Sequence, residues 1–336
     1  MSMAAMRMLH GRYARSRQTD GHATTADRRD LGETLTELAE TLEERLSRAR
    51  RGDASAAHRA RVATRRIRET LALVDVVDGR AAKDVRRVIR RLRRALGLVR
   101  EIDVAIAVFD EEAGRSGWPS STVKYVRERL QHDRERRRHD LLHRLAHIDA
   151  ADLFTKLHRL GAAARSVSRR EEASILSAQV ARRAREFAAG IRGVGPLYRP
   201  EAMHDVRIAA KKLRYSLEIV RALNDPSASR DITALRQWQT RLGRLNDVHS
   251  LQTYLAGVAA TAAPDATRRA IESMEHALDR ECRGLHAAFL RGAPRLLLLA
   301  DRVRAYGQLR RRDEPHRMAK MKIPREPQRV KIAGGL

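Results

Sequence analysis

Leu31, Leu35, Leu38, Leu42 and Leu46 keep a helical period, with Glu33, Glu37, Glu40 and Glu44 between them, and predict an amphipathic helix from residue 31. Gly52-Asp53 closes it and caps a second helix, which carries Ala63, Ile67, Leu71 and Val74 on one side and runs to about Val77. Asp78-Gly79 then reads as a turn. A third helix is predicted from about Ala82 to Glu112 on Val85, Val88, Ile89, Leu92, Leu96, Val99 and Ile102, and a fourth from about Ser121 to His147, beyond Pro119. The plan then repeats. Helices are expected over about Glu171–Ile191, from Pro200 to Asn224-Asp225-Pro226, over about Ser229–Ala260, and from Pro264 to about Leu290, with a short terminal helix opening at Pro294. No segment alternates apolar and polar residues for long, so sheet is hard to place.

Two of these helices are written in one pattern. His58–Leu73 (HRARVATRRIRETLAL) and His204–Ile219 (HDVRIAAKKLRYSLEI) match in register at an offset of 146 residues, which also carries Leu96-Gly97 onto Leu242-Gly243. A recurrence this long and in phase points to an internal duplication. Four helices per half, joined by short breaks, give an all-α fold of two antiparallel four-helix bundles. The expected organisation is a disordered basic leader at 1–30, repeats at 31–150 and 151–293, a terminal helix at 294–312 and a disordered basic tail at 313–336.

On the helical wheel His58, Arg61, Arg65 and Arg68 fall on one stripe, with Ala63, Ile67, Leu71 and Val74 opposite; the second copy places His204, Arg207, Lys211 and Arg214 on its stripe. Carboxylates on these helices are few: Glu69 in the first, Asp205 and Glu218 in the second. An anion from elsewhere is the expected partner. Gly97 and Gly243 interrupt helices at matched positions, at a cost of ~1 kcal/mol each relative to alanine. They serve either a close helix approach or the approach of a ligand to the backbone. After each comes a polar pair, Arg100-Glu101 and Asn246-Asp247, expected to hold motif cations in place.

The charge supports this picture. The chain carries +27 overall, and residues 51–100 alone hold 15 Lys and Arg against 5 Asp and Glu. Nucleic acid, polyphosphate or an anionic membrane surface are the broad partner classes. One cysteine, Cys282, excludes an internal disulfide and a four-thiolate metal site. No signal-peptide run is present and the longest apolar cluster, Leu296–Ala300, is far too short to span a bilayer, so a cytoplasmic protein with no membrane partner is expected.

The pattern His-x-x-Arg-[Val/Ile]-Ala-x-[Arg/Lys]-[Arg/Lys]-[Ile/Leu]-Arg in two copies, with Leu96-Gly97-x-x-Arg100-Glu101-x-Asp103-Val104 and Leu242-Gly243-x-Leu245-Asn246-Asp247, resembles the CHAD family, the conserved-histidine α-helical domains, over roughly residues 31–290. The resemblance implies two bundles about a pseudo-twofold axis, a basic surface or pore between them, binding of inorganic polyphosphate and recruitment to polyphosphate granules. Carried over, the binding positions are His58, Arg61, Arg65, Arg66, Arg68, His204, Arg207, Lys211, Lys212 and Arg214, with Arg90, Arg94 and Arg236 as further candidate contacts and Glu101, Asn246 and Asp247 in support. Glu101 departs from the aspartate usual in the family.

Polyphosphate offers charge and no bases, which suits a chain with only 4% aromatic residues. A single-strand nucleic-acid binder ordinarily supplies stacking rings, and Tyr215 is the one aromatic on either stripe. The two histidines either tune affinity with pH, tighter at pH 6 than at pH 8, or act as neutral hydrogen-bonding groups. The enzyme alternative is a metal-dependent phosphohydrolase, suggested by His132-Asp133, His139-Asp140 and His204-Asp205 and by the row His139, His143, His147. Across that row the outer pair stands ~12 Å apart along a helix, too far to share one ion. No phosphate-binding Gly-x-x-x-x-Gly-Lys-[Ser/Thr] loop, nucleophile elbow or Glu-x-Glu-x-Lys strand of triphosphate tunnel enzymes occurs. A stand-alone, non-catalytic module without cofactors is expected.

Overall fold

A computed structural model describes residues 30–75, 78–222, 228–261 and 264–319, with side chains through residue 305. The leader before residue 30 and the tail beyond 319 lie outside the described residues. The chain is all-helical there: α1 (Leu31–Arg50), α2 (Ala54–Val74), α3 (Gly79–Ser116), α4 (Ser120–Ala146), α5 (Ala150–Ala164), α6 (Arg169–Arg192), α7 (Pro200–Ala222), α8 (Ser229–Ala260) and α9 (Asp265–Ala319). The starts are set locally. Asp30 and Glu33 form a capping box at α1, Ser168 and Glu171 another at α6, and Asp53, Asp78 and Asp149 cap α2, α3 and α5. Gly52, at φ 90°, supplies the left-handed turn between α1 and α2.

Two differences from the sequence expectation concern continuity. A helix not anticipated, α5, follows α4 after a break of three residues and buries Leu153, Phe154, Leu157 and Leu160 against α1 and α3. Packing thus carries the first half to Ala164 rather than to 150. Gly161 lets α5 lie close on α1: a Cβ there would stand 3.1 Å from the Gly32 carbonyl oxygen. At the other end α9 runs unbroken through Pro294, so no separate helix starts at 294. Phe289, Leu296, Leu299, Ala300 and Val303 keep one buried face across the proline and hold both sides of it to the same core.

The cores number three among the described residues. One gathers α1, α2, α5, the first part of α3 and the end of α4; a second gathers α6, α7, the first part of α8 and the later part of α9. The third belongs to both halves. It joins Ile102, Ala105 and Phe109 of α3, Val126 and Leu130 of α4, Val248, Leu251 and Leu255 of α8, and Ile271, Met274 and Leu278 of α9. Helix length explains it. The 38 residues of α3 span about 57 Å, whereas the 20 of α1 span about 30 Å, so the later turns of α3 outrun their bundle and need another partner. Helix α8, with 32 residues against 23 in α7, has the same surplus, and the two overhangs bury each other. At the rim Arg244 of α8 is ion-paired with Glu111 (2.8 Å) and Glu112 of α3 and with Glu281 (2.7 Å) of α9.

Candidate anion-binding site

The first core takes Ala56, Ala60, Ala63, Ile67 and Leu71 from the back of α2, and the second takes Met203, Val206, Ala210, Leu213 and Leu217 from α7. With their backs in different cores and the two helices in contact, the basic fronts meet. Arg61 and Arg65 of α2 converge on Arg207 and Lys211 of α7. Burial first, then the guanidinium groups of Arg207 and Arg65 and, more weakly, Arg61, bring the Lys211 ammonium down to about 7, against a smaller opposing pull from Asp247. Arg61 is brought down to about 10 by burial and by Arg65, Arg93 and Arg207, with Glu101 acting the other way. Arg207 is lowered too, by burial and then Arg65, opposed by Asp247. Cations that suppress one another's protonation this way have not been given enough carboxylate, and a bound anion would relieve them.

The polar support is asymmetric. For α7, the carboxamide oxygen of Asn246 on α8 accepts from His204 Nδ1 and from Arg207 Nη2, both at 2.9 Å. Arg207 Nε is buried and has no hydrogen-bond partner among the described residues. For α2 the matching position is Arg100 on α3, a cation; burial first, then Arg100, Arg65, Arg61 and Arg59, lower the proton affinity of His58. Gly97 lies under Arg61: a Cβ there would stand 3.1 Å from Arg61 Nη1, which reaches the Arg93 carbonyl oxygen at 3.4 Å. This glycine seats a side chain, a third use beside the two expected. At Gly243 an added Cβ would meet nothing within 4 Å.

The remaining candidates divide by their partners. Arg68 donates to Glu69 at 3.0 Å, and Glu69 is fully buried and also bridged by Arg183 of α6 at 2.8 Å. Glu218 collects Arg214 at 2.5 Å, Arg236 at 2.9 Å and, across the halves, Arg66 at 3.9 Å. Arg214 is further fixed by Gln239 at 2.7 Å and lies 4.5 Å above the ring of buried Tyr215. These four arginines form a rim with carboxylates already in place, whereas Arg61, Arg65, Arg207 and Lys211 form a centre without them. Lys212 lies beside the centre, half-buried on α7. Glu101 faces Arg61 electrostatically and stands 3.9 Å from Arg137 of α4.

Sequence reasoning missed Arg93. It is half-buried, and burial, then Arg68, Arg65, Arg94 and Arg90, lower its proton affinity. The signal was present: Arg93, Gly97 and Arg100 fall at i, i+4 and i+7, on the α3 face that meets α2. Arg90 and Arg94 are exposed beside it. Among the described residues no three His, Cys, Asp or Glu side chains gather as a metal-holding group, and no helix is long and apolar enough to cross a membrane.

The CHAD domain family model matches residues 33–256. Among solved structures, the CHAD domain from the plant Ricinus communis superposes with a TM-score of 0.57 at 23% identity, covering 80% of this chain and 98% of that one. PptA from Streptomyces chartreusis gives 0.55 at 19% identity, covering 81% and 98%. At these identities the likeness concerns the fold. No curated protein sequence matches the chain.

Proposed function

The chain belongs to the CHAD family, and on that premise we propose that it binds inorganic polyphosphate between α2 and α7 without transforming it, and that this places it on polyphosphate granules. The observation that carries the proposal is the convergence of Arg61, Arg65, Arg207 and Lys211 from the two halves, with burial and mutual repulsion holding Lys211 at about 7. Such a centre demands a ligand of high charge density that reaches both helices at once. A flexible chain with about one charge per phosphate meets the demand, and guanidinium forks grip its oxygens in pairs. Nucleic acid fits less well. Tyr215, the one ring on either motif, is buried beneath Arg214 and offers no face for stacking.

The test is a calorimetric titration of the full chain with polyphosphates of several lengths at fixed salt, with the Arg65→Ala/Lys211→Ala double variant alongside. A charge-assisted contact contributes about 1.5–3 kcal/mol, so the double variant should lose about two orders of magnitude or more in affinity with its helical circular dichroism intact. Unchanged affinity, or displacement of polyphosphate by DNA at equimolar phosphate, overturns the proposal.

A further inference from the structure

A second basic concavity opens on the opposite side of α3 from α2. It has a volume of about 300 Å³ and is lined by Arg91 and Arg94 of α3 and by His143, Arg144 and His147 at the end of α4, over a floor that includes Ile148. Its cations have no carboxylate at hand to neutralise them. Arg127 pairs with Asp110 at 2.8 Å and Arg134 with Asp103 at 2.7 Å, whereas Arg91, Arg94 and Arg144 pair with no carboxylate among the described residues. Helix capping does not consume them either. Arg50 of α1 already covers the negative end of α4, donating to the carbonyl oxygens of Leu145 at 3.1 Å and Ile148 at 2.9 Å. His147 donates from Nδ1 to the His143 carbonyl oxygen at 2.8 Å, which fixes the ring and leaves Nε2 as its open position, and the two imidazoles lie 4.6 Å apart. A volume of this size is at the small end of ligand pockets, and three guanidinium groups suit an oxyanion.

Arg93 beside the first site and Arg94 in the concavity wall are consecutive residues of α3. Arg93 faces Arg65 and Arg68 on one side of α3, and its neighbours Arg90 and Arg94 act on it from the other, with Arg94 itself in the concavity wall. We propose that this concavity is a second phosphate subsite, reached from the first around α3 through Arg93 and Arg94, so that a long polyphosphate occupies both while a short one occupies either. The proposal rests on the reading of the first site as a polyphosphate site, and the row of histidines that suggested a metal becomes part of an anion cradle.

The experiment uses the full chain and two probes, tripolyphosphate and a long-chain polyphosphate. Arg65→Ala/Lys211→Ala removes the first site. Arg91→Ala/Arg144→Ala, both at exposed positions, removes the second. The first variant should keep one equivalent of tripolyphosphate, whose binding shifts the His143 and His147 imidazole resonances, and adding Arg91→Ala/Arg144→Ala should abolish it. Alone, Arg91→Ala/Arg144→Ala should leave the tripolyphosphate affinity of the first site unchanged and weaken the long chain about tenfold. The second subsite is overturned if the first variant binds no tripolyphosphate, if the combined variant binds it as well as the first, or if the long chain is indifferent to Arg91 and Arg144. Wild-type protein that binds neither probe overturns the function itself, a distinguishable outcome.

Discussion

Lys211 stands half-buried on α7 with Arg207, Arg65 and Arg61 around it, and this setting holds its ammonium at about 7 rather than the ordinary 10.5. The sign follows in two directions. Between those values the unfolded chain binds the proton and the folded free protein does not, so this residue's contribution to stability rises with pH across the window. A polyanion favours the ammonium, so the bound form keeps its proton to higher pH; affinity is greatest below about 7 and falls as pH rises above it. Lys211→Met should therefore raise the melting temperature of the free protein at pH 6–7 and lower its affinity for polyphosphate. Calorimetry at pH 8 in buffers of different ionisation enthalpy should show proton uptake by wild type that the variant largely lacks. Equal proton uptake by the two proteins removes Lys211 from the role. His58, offered by the sequence either as a pH sensor or as a neutral hydrogen-bonding group, is placed less favourably: burial and Arg100 already disfavour its charge. A lysine amid arginines is the better sensor because its proton can leave, whereas a guanidinium keeps its own.

At the scale of the helix, Gly284 and Gly292 of α9 carry opposite expectations. Gly284 is exposed, and a Cβ there would meet nothing within 4 Å. Gly292 is buried against α8, and a Cβ there would collide with the six-membered ring of Trp238, itself packed edge-on to Phe289 with centroids 6.2 Å apart. Intrinsic helix propensity favours alanine over glycine by up to ~1 kcal/mol at either site. Gly284→Ala should gain about that much. Gly292→Ala should instead lose about 1–3 kcal/mol, the usual cost of overpacking, because the indole or the helix axis must move. Urea denaturation of the two variants checks this, and stabilisation by Gly292→Ala would show that the α8–α9 contact is looser than described. The same element shows how a local rule yields to packing. Pro294 reads as a helix start in sequence, since its missing N–H suits a first turn. Here Phe289 before it and Leu296 and Leu299 after it share one core, and the helix continues through.

The whole molecule adds the contacts that single helices cannot announce. Period and caps made most helix boundaries legible, and the 146-residue repeat with its basic stripes drew notice to the two helices whose basic faces meet. What periodicity left out is which face meets which. Ile102, Ala105 and Phe109 read as an ordinary core stripe of the first half, and only the length of α3 relative to α1 hints that they leave their own bundle. Arg68 and Arg214 likewise looked equivalent to Arg61 and Arg207, yet Glu69 and Glu218 hold them to the rim, and Arg93 went unseen between Leu92 and Arg94 because runs of arginine hide their facing. The shared third core has a consequence for folding. Chains cut between α5 and α6, spanning 30–168 and 169–319, would each expose half of that core together with one side of the Arg244 network and of the buried Glu69–Arg183 bridge. Removing one partner of such a buried pair costs about 3–5 kcal/mol by itself. Either fragment alone should therefore show weakened, non-cooperative unfolding and bind a hydrophobic dye, and the two mixed should recover a single cooperative transition together with polyphosphate binding. The intact chain should melt in one calorimetric step, since neither bundle is complete without the overhang of the other. Two separate transitions, or fragments each as stable as the whole, would mean that the halves are independent domains and that the gap between α2 and α7 is free to open.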